Sequence, residues 1–253
     1  TKNEQEFTMN FENTQVWGFE HAIRGMRNPK NSWAKSDSTF NGIQANIGSA
    51  DLKLMQTLIK SGSEHRKFLR QIFVSVDITA PMYWWSEFDT YKVSTVANST
   101  SKMHKLASTP ITFDCFEHDD FINTDCGSTF KDAQSAWQSL IEVLESLRNK
   151  FNETKEKKYW KELIRLLPES WLQKRTVTMN YENLLGMCSN GQRRHHKLNE
   201  WSGEDNPSLK NFISWAKTLP YAQELLFQKT RMEELAEENV ELKSALKKLE
   251  ANS

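Results

Sequence analysis

The stretch from Gln71 to Leu106 constrains the fold of this chain more than any other. Ile72, Val74, Val76 and Ile78 alternate with Ser75, Asp77 and Thr79, so a strand there has one apolar and one polar face, with Phe73 the exception. Pro81 suits the first turn of a helix, where its missing N–H costs nothing. Trp84, Trp85, Phe88 and Tyr91 then recur at helical spacing and read as core rather than as a stacking platform. After Lys92 come Ser94, Thr95, Asn98, Ser99, Thr100, Ser101 and Lys102, small donors with a cation at each end. Such a run can hold a phosphate.

The flanking chain is helix-rich. Residues 16–26 have helical character, and the loop Asn28-Pro29-Lys30-Asn31-Ser32 stops them. Residues 51–62 read as an amphipathic helix closed by Gly62. Residues 107–130 read as a long loop, followed by helices over 132–150 and 157–167. Thr176 to Asn180 is β-prone, and residues 181–200 and 208–227 read as two more helices. Residues 1–10 read as a frayed end or an edge strand.

Composition excludes several classes. Lys+Arg 33 balances Asp+Glu 33, so charge gives no reason to expect a nucleic-acid or membrane-surface protein. No apolar run approaches the ~20 residues of a membrane span. Nine tryptophans and 14 phenylalanines argue against general disorder. Cys115, Cys126 and Cys188 are too sparse for a disulfide framework, which favours a reducing cytoplasm. Cys115, His118, Asp119, Asp120 and Cys126 lie close in sequence but match no zinc spacing, so no metal is expected.

Two blocks carry a resemblance. Ile78-Thr79-Ala80-Pro81 leads to Thr90-Tyr91-Lys92 and then to Thr100-Ser101-Lys102, with His65 upstream in a Gly-containing turn. Far downstream, Leu167-Pro168 precedes Thr178-Met179-Asn180, and Arg193-Arg194-His195-His196-Lys197 follow. Over roughly residues 50 to 200 the chain resembles the flavin-dependent thymidylate synthases. That family has a strand ending like Val-Lys-Ala-Pro, a helix finishing in Arg-His-Arg, and then Ser-x-Arg. It also has a Gly-His turn upstream, and a later Leu-Pro before a strand ending in Thr-x-Asn.

The departures are chemical. Thr90-Tyr91-Lys92 keeps one cation of the family's three, as a point charge instead of a planar fork. Thr100-x-Lys102 keeps the hydroxyl and the charge of Ser-x-Arg. The family's helix Gln becomes Glu87, which accepts but does not donate when ionised. The Arg before Leu-Pro falls at Ile164, beside Arg165, and later Asn and Arg positions fall at Gly186 and Gly191.

The resemblance implies an α+β fold, a twisted mainly antiparallel sheet flanked by helices, assembled as a homotetramer. It implies flavin (FAD) as redox carrier, methylenetetrahydrofolate as carbon donor and the pyrimidine nucleotide dUMP as acceptor. Under it, His65, Thr90, Tyr91, Lys92 and Asn180 would meet flavin, with Arg27 and Ser32 as further candidates. Glu87, Thr100, Lys102, Arg193 and Arg194 would bind the nucleotide. The alternative is a nucleotide-binding or oligomeric scaffold protein that has lost flavin chemistry. Divergence of this kind is expected in bacteriophage genomes.

The last part of the chain is a separate object. Residues 1–222 read as the α+β domain and 223–253 as a C-terminal coiled-coil helix. Leu225, Met232, Asn239 and Leu246 fall at one core position, and Leu235, Leu242 and Leu249 at the other, with Gln228 interrupting the second series. Glu and Lys fill the flanks, and a lone core Asn fixes register and strand number. Self-association through this tail is the expectation.

Overall fold

The computed structural model describes residues 9–118, 127, 129–188, 191–229, 235, 238–244 and 247. Asp119, Asp120 and Cys126 lie outside them. The chain divides into two compact units. The first comprises residues 1–15, 74–179 and 196–215; the second comprises 16–73, 180–195 and 216–253.

The first unit carries a four-stranded sheet in the order β1-β4-β6-β5. Its strands are β1 (Asn10–Trp17), β4 (Phe73–Pro81), β5 (Val96–Ser99) and β6 (Leu172–Asn180). The alternation in β4 holds: Val74, Val76, Ile78 and Ala80 are buried, while Phe73 is 36% exposed. The opposite face is a polar network. Asp77 accepts from Thr176 Oγ1 at 2.7 Å and from Asn13 Nδ2 at 2.8 Å, bonds that hold its carboxyl below the usual range. Cross-strand pairs of this kind tie neighbouring strands on a solvated face.

Pro81 ends β4 and caps α3 (Met82–Phe88) instead of entering its first turn. The N–H groups of Met82 and Tyr83 go to the carbonyls of Trp171 and Glu169, which satisfies the helix start. Trp84, Trp85 and Phe88 are buried against Trp201 and Phe212, as core. The α-helix tightens to a 3-10 turn over Asp89–Tyr91. Within the polar run Val96–Ser99 forms the edge strand β5, antiparallel to β6 with Ser99 opposite Arg175. Ladder hydrogen bonds claim one edge of its backbone.

A second core cluster joins Leu106 of α4 (Lys102–Ser108), Ile141 and Leu144 of α5 (Ala133–Thr154), Leu163 of α6 (Lys157–Leu166), and Phe116 and Trp171. Asp132 starts α5 by accepting from Ser135 N at 2.8 Å.

The second unit holds α1 (Phe19–Arg27), the hairpin β2 (Thr39–Asn41) and β3 (Gln44–Asn46), and α2 (Ser49–Lys60). Gly18 precedes α1 at φ +99°, and a Cβ there would lie 2.0 Å from the Gln71 carbonyl oxygen, so glycine is required. The expected single helices over 181–200 and 208–227 are each broken. The first becomes α7 (Tyr181–Cys188), α8 (Gly191–Arg194) and, in the first unit, α9 (Asn199–Ser202). The second becomes α10 (Phe212–Ala216), assigned chiefly to the first unit, and α11 (Ala222–Leu225) in the second. Gly203 at φ +69° ends α9, and Tyr221 at φ +54° interrupts the later pair. Leu225, Leu226 and Phe227 are buried, so Leu225 belongs to the core and not to a helix seam. Among the described residues no helix is long and apolar enough to cross a membrane.

Candidate functional site

The expected site residues fall into both units. Glu87, Thr90, Tyr91, Lys92, Thr100 and Lys102 are in the first; His65, Asn180, Arg193 and Arg194 are in the second.

In the second unit a cavity of about 1500 Å³ is lined by the end of α1, the loop after it, one face of α2 and the segment leading to β4. Arg27, Ser32 and His65, distant in sequence, all line it. Its walls include Met26, Leu54, Leu58 and Phe68; of the basic residues that line it, Arg27 and Arg70 are paired with Asp51 and Glu182, and Lys30, Lys35, His65 and Lys67 stand beside the carboxylate of Glu64. Among the described residues no carboxylate pairs with Lys30, Lys35 or Lys67. An apolar interior with a basic rim fits a large anion that has a flat apolar part.

The loop over the cavity is fixed from below. Arg27 Nε donates to Asp51 Oδ1 at 2.6 Å, and Arg27 Nη1 donates to the Ser32 carbonyl at 3.2 Å. Asp51 Oδ2 accepts from the hydroxyls of Ser36 at 2.7 Å and Ser38 at 2.6 Å and from the Asp37 and Ser38 amides. Burial pushes this carboxyl up, but the Ser38 and Ser36 hydroxyls and Arg27 outweigh it and hold it below the usual range. Asp37 caps α2 from outside, accepting from Ala50 N at 2.9 Å and Asp51 N at 3.0 Å, and these bonds lower its own pKa. Sequence reading missed this clamp, because the β2–β3 hairpin separates Asp37 and Ser38 from the helix start and no local capping pattern marks them.

Asn180 is buried and caps α7, its Oδ1 accepting from Asn183 N at 3.0 Å. Arg193 and Arg194 bond carbonyls at the other end of α7, Gly186 O at 3.1 Å and Cys188 O at 2.8 Å. The Arg194 guanidinium lies 5.2 Å from the Phe227 ring centroid, and its Nη2 is buried without a partner.

In the first unit Glu87 Oε1 accepts from Tyr91 Oη at 3.3 Å and lies 3.4 Å from His196 Nε2. His196 Nδ1 accepts from Leu198 N at 3.0 Å, so in the neutral ring the proton sits on Nε2 and points to Glu87. The rings of Tyr91 and His196 lie 5.5 and 5.4 Å from that of Trp201. Thr90 and Lys92 are exposed. Lys102 opens α4 and is half-exposed; Thr100 is exposed, with its N–H and C=O tied to Lys174 O and Gln173 Nε2.

Arg175, which sequence reading passed over, organises this region. Its guanidinium lies 4.3 Å from the Trp85 ring centroid, pairs with Asp89 at 3.1 Å and donates to Gln173 Oε1 at 3.0 Å. Tyr83 was also missed: its hydroxyl meets Glu200 and, at 3.1 Å, Glu117, and burial together with both carboxylates pushes the phenol up. No group of metal-ligating side chains occurs among the described residues. Cys115 and Cys188 are free thiols, the latter buried.

No protein-family model matches the chain, and no curated protein does. Solved structures do. The chain is similar to the flavin-dependent thymidylate synthase ThyX from Helicobacter pylori complexed with FAD and dUMP, at 16% identity and a TM-score of 0.55, covering 87% of this chain and 98% of that one. The fold is that of the flavin-dependent thymidylate synthases. A second structure of Helicobacter pylori ThyX with FAD and dUMP agrees, at 15% identity, TM-score 0.53, and coverage of 87% and 97%. The UMP/dUMP methylase PolB from Streptomyces cacaoi is similar at 13% identity over 70% of this chain and 75% of its own, with a TM-score of 0.45.

Proposed function

We propose that this chain is a divergent flavin-dependent thymidylate synthase-like protein that binds dUMP or a closely related pyrimidine nucleotide together with FAD, as a cytoplasmic homotetramer. The observation that carries the reading is the basic-rimmed cavity of about 1500 Å³ on which Arg27, Ser32 and His65 converge. Its volume exceeds the few hundred Å³ that a small metabolite fills and suits a dinucleotide. Lys30, Lys35 and Lys67 supply charge for phosphate, and Phe68 and Leu58 supply apolar wall.

Bound flavin supplies the hydride chemistry for methylation with methylenetetrahydrofolate; the residues of this chain bind, orient and set charge. By the resemblance Thr90, Tyr91 and Lys92 of the first unit and Asn180 of the second are further flavin candidates, and none of them lines the cavity. Thr100 and Lys102 are the nucleotide-phosphate candidates of the first unit and Arg193 and Arg194 those of the second, and Glu87 is the candidate for the pyrimidine edge. Because Tyr91 and His196 both address Glu87 Oε1, its other oxygen is left to accept from a ligand N–H.

A second reading, nucleotide binding without flavin, is favoured by one observation. Tyr91 gives its hydroxyl to Glu87, and only Lys92 remains charged in the segment that replaces Arg-His-Arg. Visible absorbance of the purified chain after excess FAD and desalting separates the two. Retained flavin absorbance, lost in Lys30→Ala/Lys35→Ala, supports the first reading. A colourless protein that still binds dUMP by calorimetry supports the second, and one that binds neither overturns both.

A further inference from the structure

The described part of the tail exposes the apolar side chains of Leu235, Val240 and Leu242. Residues 238–244 are helical and exposed throughout, with Leu242 at 62%, and Leu235 is 39% exposed. On a helix Leu235, Asn239 and Leu242 fall one above another, as a d-a-d seam. In sequence the same repeat continues through Met232, Leu246 and Leu249, which lie outside the described residues.

The flanking charges select the partner. With this register Glu238 is a g residue and Lys243 the following e residue. In a parallel pair each g residue meets the next e residue of the other helix, so Glu238 of one copy meets Lys243 of the second, and the reverse pair forms on the other side. Parallel pairing also sets Asn239 against its counterpart, where each amide has a donor and an acceptor to offer. Antiparallel pairing would instead set Asn239 against a leucine layer and leave a buried amide unsatisfied. A surface that complements itself in one orientation needs no different partner.

We infer that the tail pairs with the tail of a second copy of this chain, as a parallel two-stranded coiled coil in register at Asn239. The inference is independent of which ligand the globular units bind. It gives the chain an association device outside the shared fold, and it pairs copies in a fixed orientation.

Site-directed cross-linking of the full chain tests it. Asn239→Cys and Val240→Cys are oxidised mildly and compared with the unaltered chain on a non-reducing gel. The expected result is a disulfide-linked dimer for Asn239→Cys, with Val240→Cys, one residue off the seam, at the background of the unaltered chain. Absence of the dimer, or equal linking at both positions, overturns the inference. In the Asn239→Cys chain, Lys243→Glu should cause loss of the linked species by opposing two glutamates, and adding Glu238→Lys should restore it. A linked fraction indifferent to both changes would show pairing in another orientation or with another surface.

Discussion

Arg27 and Asp51 form an ion pair at 2.6 Å with both side chains closed to solvent, 4% and 0% exposed. The pair joins the end of α1 to the start of α2, and the serines of the intervening loop hang from its carboxylate. Removing one partner leaves the other buried and uncompensated, so Arg27→Ala should cost about 3–5 kcal/mol. Urea unfolding at neutral pH measures this. The acid dependence follows from the lowered pKa of Asp51. Its stabilisation is complete above the unfolded carboxyl value, near pH 4, and is lost as pH falls through the lower folded value. Asp51→Asn should therefore be strongly destabilising at pH 7, and its deficit relative to the unaltered chain should shrink below about pH 4.

Gly48→Ala tests the same clamp by crowding. A Cβ at Gly48 would lie 2.1 Å from Asp37 Cγ, which is held by its bonds to the amides of α2. The carboxylate must leave its capping position or the loop must shift. A loss of about 2 kcal/mol or more is expected from overpacking plus a lost cap. Thermal unfolding reads it; a neutral substitution would show that the loop moves freely.

The strand read over Ile72 to Thr79 was legible because one buried face enforces a strict period of two, and the Pro81 tryptophans because helical spacing and bulk leave few alternatives. The edge strand Val96–Ser99 was not legible. All four of its residues are exposed, so pairing with β6 is set by backbone hydrogen bonds, which leave no hydrophobic pattern. The break at Tyr221 was missed because apolar spacing runs on through it while the backbone turns left-handed. His65 and Ser32 came from resemblance and do line one cavity, but the Arg27–Asp51 pair that holds Ser32 joins residues too far apart in sequence for any local signal.

Arg175→Met is expected to loosen the strand that presents Thr100. The substitution keeps apolar contact with Trp85 and removes the ion pair to Asp89 and the bond to Gln173 Oε1. Gln173 then loses the partner that orients its amide toward the Thr100 carbonyl. A stability loss of about 1–2 kcal/mol should result from these part-buried charged bonds. Hydrogen exchange should quicken at the Thr100 amide, which bonds Lys174 O at 2.9 Å. An unchanged rate there would show that β5 is held without Gln173.

Lys102→Ala addresses the nucleotide directly. Lys102 opens α4 beside Thr100, with two further small donors, Ser99 and Ser101, in the same short segment. If its ammonium bonds the phosphate of dUMP, truncation removes one charge-assisted bond, worth about 1.5–3 kcal/mol, or roughly a 10- to 150-fold weaker affinity. The folded chain should be nearly unaffected, because Lys102 is half-exposed and at a helix start, where a cation is slightly unfavourable. Calorimetric titration of dUMP into both chains at low and moderate salt separates a specific bond from general attraction. A specific bond lowers affinity at both, whereas loss of diffuse charge alone shows mainly at low salt. Unchanged affinity at either ionic strength would remove Lys102 from the site and shift the phosphate toward Arg193 and Arg194.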